Sequence, residues 1–230
     1  MKKIIIILCF PFLLFAGFSD EYYAIKETKK MKNYFFFQIL QMARMENAKI
    51  LQDRMFVNNI FPMLNAIGKE SKEYKLFDSI RKKYKIKENA QKEEFLKVID
   101  IVPYSLVLSQ AAIESGWGKS RFFKEANNIF GQWTWSGKGL IPSQRDAGKK
   151  HKIKIFDSLQ DALRAYLMNM NLGWGYKEFR ELRAKLRERG IPPTGIVLSR
   201  TLINYSQKKE EYTKLLRKFI LDNNLMKYDI

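Results

Sequence analysis

Residue types and spacing that could carry chemistry are concentrated between Pro103 and Trp135, PYSLVLSQAAIESGWGKSRFFKEANNIFGQWTW. Leu106, Leu108, Ala111, Ala112 and Ile113 make the start of this stretch apolar on most sides. That predicts a buried central helix, entered at Pro103, a residue suited to a first turn. Glu114 comes at the end of the run, followed by Ser115, Gly116, Trp117 and Gly118, and Gly116 is a natural stop. An anion there is disfavoured by burial and by the negative end of the helix dipole, and both raise its pKa. A carboxylic acid that keeps its proton near neutrality is what general acid catalysis needs, and Trp117 offers it an apolar wall. The competing reading is an exposed Glu at a frayed helix end.

The residues that follow are amides, glycines and aromatics: Asn127, Asn128, Phe130, Gly131, Gln132, Trp133, Trp135, Gly137 and Gly139. Planar amides suit hydroxyl and N-acetyl groups, and Trp offers a flat apolar face with a polar N–H, so the pattern fits one wall of a sugar-binding groove. A small hairpin capped by Trp packing is the alternative. Ile153, Ile155 and Phe156 alternate with lysines as a short strand, which makes this region a small β lobe within a helical protein.

Glycoside cleavage generally uses two carboxylates. Between Glu114 and the next predicted helix the acidic residues are Glu125, Asp146 and Asp157. Glu125 is expected on a solvent-facing helix and Asp157 at the next turn. That leaves Asp146, in PSQRDAGKKH, as the loop candidate, kept ionised by Arg145, Lys149 and Lys150; a plain surface-loop role competes. His151 is the sole histidine and reads as a groove-wall or strand-start residue. With one His and no Cys after the amino-terminal segment, no metal site is expected, and no organic cofactor is implied. Tyr205, just before SQKKE, is placed to turn its ring toward the groove or into the core.

The elements that must position these residues are mainly helical. Tyr34, Phe35, Phe37, Ile39, Leu40, Met42, Ile50, Leu51, Met55 and Phe56 recur at helical spacing over about 28–59, with Phe35, Phe36 and Phe37 read as core. A short helix is predicted over 76–84, and a basic connection over 86–102. Ser158 with Asp161 resembles a capping box opening a helix through Met170. A charged amphipathic helix spans 176–189, with Phe179, Leu182 and Leu186 facing inward. A closing pair covers 198–205 and 210–225. The predicted division is 1–19 as an export signal, 20–100 as a packed N-terminal helical region and 101–230 as the catalytic unit.

At 230 residues the chain is long enough for a sizeable core. MKKIIIILCFPFLLFAGFS reads as an export signal: two lysines, an apolar run, then small residues, with cleavage expected near Ser19 and an uncleaved anchor as the alternative. The single cysteine, Cys9, lies inside it, so the mature chain would have no disulfide or thiol chemistry. Net charge is +18, which favours polyanions, and an exported protein meets anionic lipid or cell-wall polymer before nucleic acid.

AAIESGWGKSRF followed by EANNIFGQW strongly resembles the Bax-like branch of the bacterial peptidoglycan glucosaminidases, glycoside hydrolase family 73. IVPYSLVLSQ, the spacing of Pro142 and Arg145, AYLMNMNLGWGYKEFRELR and YSQKKEEYTKLL extend the resemblance over roughly 32–225. It implies a mainly α, lysozyme-like helical domain whose small β lobe forms one wall of a substrate groove. It also implies cleavage after N-acetylglucosamine in peptidoglycan. Glu114 matches the family's general acid, and Tyr205 is similar to its cleft tyrosine. Many members carry a second catalytic Glu in the β lobe, whereas here no Glu occurs between Glu125 and Glu178. Asp146 replaces it, the substrate's N-acetyl group attacks, or water attacks with only Glu114 and Tyr205 assisting.

The expected function is an exported, periplasmic or cell-envelope hydrolase acting as a monomer on peptidoglycan glycan strands. The expected glycan contacts are Trp117, Asn127, Asn128, Phe130, Gln132, Trp133, Trp135 and His151. Nucleic acid is not an expected partner, and membrane contact is expected only through an uncleaved signal segment. A lytic transglycosylase and a non-catalytic peptidoglycan-binding scaffold are the alternatives.

Overall fold

The computed structural model describes residues 17–142, 148, 150–205 and 210–229. Most of the expected export segment and Asp146 lie outside the described residues. The helices are α1 (Asp20–Ala24), α2 (Thr28–Ile60), α3 (Lys72–Lys83), α4 (Lys92–Val98), α5 (Tyr104–Ser115), α6 (Arg121–Ala126), α7 (Leu159–Leu172), α8 (Lys177–Glu188), α9 (Gly195–Leu198) and α10 (Glu210–Asp222). Three short strands, β1 (Trp133–Thr134), β2 (Gly139–Leu140) and β3 (Lys152–Lys154), form an antiparallel sheet in the order β1-β3-β2. Trp133 pairs with Ile153, and Gly139 with Lys154. The protein is mainly α with a small β lobe.

The long apolar periodicity folds as α2, which buries Met31, Phe35, Ile39, Ala43, Asn47 and Ile50 along one face. That face packs on α5 and α7. The three consecutive phenylalanines do not share it. A helix turns about 100° per residue, so Phe35 and Phe36 are buried while Phe37 is 56% exposed. Met55 likewise falls on the solvent side.

Helix α5 runs through the middle of the core, with Leu106, Val107, Leu108, Ala111 and Ala112 essentially inaccessible to solvent. Its start is fixed by a tertiary contact and its end by a local cap. Pro103 occupies the N-cap, where it offers no capping side chain. The cap instead comes from Asp229, whose Oδ1 accepts from the Ser105 N–H at 2.8 Å and whose Oδ2 accepts from the Gly195 N–H at 2.8 Å. One carboxylate thus satisfies donors at the starts of both α5 and α9, where the helix dipoles favour negative charge. At the other end Gly116 is left-handed (φ 56°), and the Trp117 N–H donates to the Ala112 carbonyl at 2.9 Å, closing the helix in a glycine-type C-cap.

The link between α4 and α5 is held by a buried ion network. Asp100 is 1% exposed and accepts a forked pair of bonds from Arg187 Nε and Nη2, each 3.0 Å. Arg183, wholly buried, donates through Nη1 to the carbonyls of Asp100 and Ile101 and to Asn171 Oδ1, and through Nη2 to the Lys97 carbonyl. It therefore satisfies carbonyls at the end of α4. Burial would raise the Asp100 pKa, but Arg183, Arg187 and Arg54 outweigh it and hold it below the usual range. Helix α8 thus turns inward an arginine as well as Phe179.

Two sequence expectations change here. The segment expected as one helix over 198–205 is α9 followed by 3-10 turns at Ser199–Thr201 and Ile203–Tyr205. Gly195 approaches α5 so closely that a Cβ would stand 2.6 Å from the Leu106 nitrogen, so the chain crosses α5 in short segments. The connection expected over 86–102 contains α4. The expected Ser158 cap is present, with its Oγ accepting from the Asp161 N–H at 3.1 Å.

Candidate active site

Gln110 and Glu114 lie one turn apart on the same side of α5, in a helix otherwise dominated by apolar and small side chains. The Tyr212 O–H of α10 donates to Glu114 Oε1 at 2.6 Å. The Tyr212 oxygen accepts from Gln110 Nε2 at 3.1 Å, and Gln110 Oε1 accepts from the Tyr166 O–H of α7 at 2.6 Å. Every donor in this chain points toward Glu114. Three helices therefore fix the carboxylate through one polar thread across the core, and Gln110, itself fully buried, is satisfied by it.

The thread runs through a tyrosine cage. Tyr205 stacks on Tyr212 with centroids 5.2 Å apart and planes at 11°, and Tyr176 lies 6.3 Å from Tyr205. The phenol pKa values of Tyr166, Tyr176, Tyr205 and Tyr212 are all raised, first by burial and then in part by the Glu114 charge. For Tyr176 the value reaches about 12. These phenols stay neutral donors over the working range. Burial raises the Glu114 pKa, and the Tyr212 hydrogen bond opposes that rise without cancelling it. Among the described residues no charged side chain enters that balance.

Beside the cage is a cavity of about 250 Å³ lined by Asn169, Gly173, Trp174, Tyr176, Leu202 and Tyr205. Another hollow of about 180 Å³, between α2 and α7, overlies Glu46. Its carboxylate is already held by Arg164 Nε at 3.0 Å and Gln160 Nε2 at 2.6 Å. That hollow is a structural junction and holds none of the sequence-predicted site residues.

The β lobe meets the cage through Phe130, which is buried and stacks on Tyr166 at 3.8 Å with planes at 11°. Trp133 is 53% and Trp135 71% exposed. Trp133 stacks on His151 with centroids 4.5 Å apart and is edge-on to Trp135. Three aromatic rings thus share one surface on the strands. The Gln132 amide faces α7, oriented to donate to the Ala162 carbonyl at 3.2 Å and accept from the Tyr166 N–H at 3.3 Å.

With this geometry in hand, comparison with known proteins adds the family. The profile of the glucosaminidase family, described as mannosyl-glycoprotein endo-beta-N-acetylglucosaminidase, matches residues 87–225. This span holds α5, the β lobe and all four cage tyrosines. The chain belongs to the glucosaminidase family. It is 32% identical over 149 residues to Protein bax of Escherichia coli (strain K12), across 63% of this chain and 53% of that protein. The chain thus spans about half the length of that curated relative. No solved structure matches the chain. The mainly α, lysozyme-like fold implied by the resemblance agrees with the helices and the three-stranded lobe seen here.

Within this glucosaminidase domain several residues expected at the glycan make contacts inside the fold. The Trp117 ring contacts Phe35, Phe36 and Phe219 at 5.2–5.5 Å, with Lys32 Nζ over its face. A left-handed backbone at Trp117 (φ 58°) directs the chain away after α5, so the ring joins the α2–α10 packing. Asn127 is left-handed at the end of α6; its Oδ1 accepts from the Gly17 N–H at 2.6 Å and its Nδ2 donates to the Phe156 carbonyl. Asn128 donates to the Gln132 and Lys154 carbonyls, each at 2.8 Å, and accepts from the Gln132 N–H. Both its amide hydrogens are thereby used within the protein. Phe130 belongs to the core. Of the sequence-predicted residues, Glu114 and Tyr205 come together at the cage, while Trp133, Trp135 and His151 form the lobe surface.

Sequence reasoning missed Gln110, Tyr166, Tyr176 and Tyr212. Gln110 carried a readable signal, because a polar residue four positions before Glu114 in an apolar helix must find buried partners. The tyrosines carried none, since each fits an amphipathic helix as core.

Proposed function

We propose that the protein is an exported cell-wall hydrolase that cleaves the glycosidic bond after N-acetylglucosamine in peptidoglycan, with Glu114 as general acid. The observation that carries this reading is a partly buried carboxyl with a raised pKa at the end of the central helix, held by the neutral donor Tyr212. Family membership supports the same reaction class. Glu114 protonates the leaving glycosidic oxygen, and desolvation among the tyrosines raises its pKa, which favours the protonated form this step needs. Tyr205, on the cavity wall, donates to the substrate beside it. Trp133, Trp135 and His151 hold the glycan from the lobe through their exposed faces, with Gln132 behind them. The second group is Asp146, the substrate's own N-acetyl group or water. Loss of turnover in Asp146→Asn selects the first, and full turnover excludes it.

A lytic transglycosylase is the second reading, favoured by the lack of any Glu between Glu125 and Glu178. Mass spectrometry of products from purified peptidoglycan separates the two. Reducing-end N-acetylglucosamine is expected; anhydromuramic acid ends would replace the hydrolase reading with the transglycosylase one.

A further inference from the structure

Trp174 is the most exposed large apolar side chain among the described residues, 94% open to solvent. It sits on the 3-10 turn Trp174–Tyr176 between α7 and α8. That turn is firmly built. The Gly173 N–H donates to the Asn169 carbonyl at 2.7 Å, and the Gly173 carbonyl accepts from Arg180 Nη1 at 2.8 Å. A Cβ at Gly173 would meet both the carbonyl oxygen and Oδ1 of Asn169 at 2.7 Å, so only glycine fits. The fold thus holds a large flat ring in water at a position where its apolar face covers no core, and an indole is a costly side chain to leave unburied.

Its location gives the ring a use. Trp174 borders the cavity whose wall is Tyr176 and Tyr205, and Tyr205 stacks on the tyrosine that holds Glu114. Exposed Asn169 lines the same cavity and adds a planar amide beside the aromatic face. A flat apolar face next to an amide, on a cavity walled by the tyrosine that stacks on the Glu114 partner Tyr212, matches a pyranose ring with an apolar face and equatorial polar substituents. We propose that Trp174 and Asn169 form a saccharide subsite on the α7–α8 side of the cavity, separate from the lobe tryptophans, with a sugar of the glycan strand stacked on the indole. The subsite rests on the glycan-cleaving reading above.

The test is co-sedimentation with purified insoluble peptidoglycan, in a Glu114→Gln background so that binding is read without turnover. Trp174→Ala should weaken binding about tenfold, and Trp174→Tyr should restore most of it. Asn169→Ala should weaken it by a smaller factor. Thermal midpoints should stay those of the parent, because the ring is solvent-exposed. If the parent binds and Trp174→Ala binds equally well, the subsite is overturned while the glycan reading stands. If neither binds, both fall. A parallel sedimentation with phosphatidylglycerol vesicles covers a membrane role. If Trp174→Ala loses vesicle binding and keeps glycan binding, the ring is a membrane anchor and the subsite is wrong.

Discussion

The Tyr212 hydroxyl stands 2.6 Å from Oε1 of Glu114, a carboxylate 98 residues earlier in the chain, and among the described residues its hydrogen bond lowers the Glu114 pKa against burial. A general acid is active while protonated, so activity should fall as pH rises through the raised Glu114 pKa. Tyr212→Phe removes the opposing hydrogen bond and leaves burial to act alone, which raises that pKa further. The alkaline limb of the pH–rate profile should move to higher pH, with plateau turnover lower by on the order of tenfold. An alkaline limb that stays in place or moves down would show that Tyr212 does not control the acid.

Asp100 and Arg183 bear on stability. The Asp100 pKa is depressed in the fold, so its contribution is present above the ordinary carboxylate range and is lost as pH falls through the folded value. Asp100→Asn leaves Arg183 buried without its countercharge and should cost about 3 kcal/mol at neutral pH, with the deficit shrinking in acid. Urea denaturation at neutral and acidic pH measures both.

Asp229 caps α5 and α9 from the carboxyl-terminal turn. Asp229→Ala should destabilise the protein by about 1–2 kcal/mol, while Asp229→Asn should retain part of the cap. Equal denaturation midpoints for wild type and Asp229→Ala would contradict the capping role.

The amino-terminal residues also matter. Phe18 packs edge-on against Tyr22, Tyr34, Phe35 and Phe123, and the Gly17 N–H reaches Asn127. Cleavage near Ser19 would remove these contacts. A chain starting at Asp20 should be less stable than one starting at Gly17 by about 1–2 kcal/mol, as thermal melts of the two would show.

Much of the helical frame was legible because its signals are local. The α2 period, the apolar run into Gly116 and the Ser158 cap each need only neighbours in sequence. The position of Glu114 was legible for the same reason. The roles of Asn127, Asn128 and Trp117 were not, because amides and indoles that would suit a sugar also suit carbonyls and phenyl rings brought in from elsewhere. Arg183 looked like surface in a charged helix, and only Asp100 and the end of α4, more than 80 residues earlier, make it a core residue. The tyrosine cage joins α7 and α10 with the 3-10 turns before α8 and before α10, so no single stretch could announce it.

The most direct test of the central claim is turnover of purified peptidoglycan by wild type beside Glu114→Gln, with binding measured on both. The account predicts released glycan fragments from wild type, none above background from Glu114→Gln, and equal binding by the two. Fragments released by Glu114→Gln at the wild-type rate would contradict it.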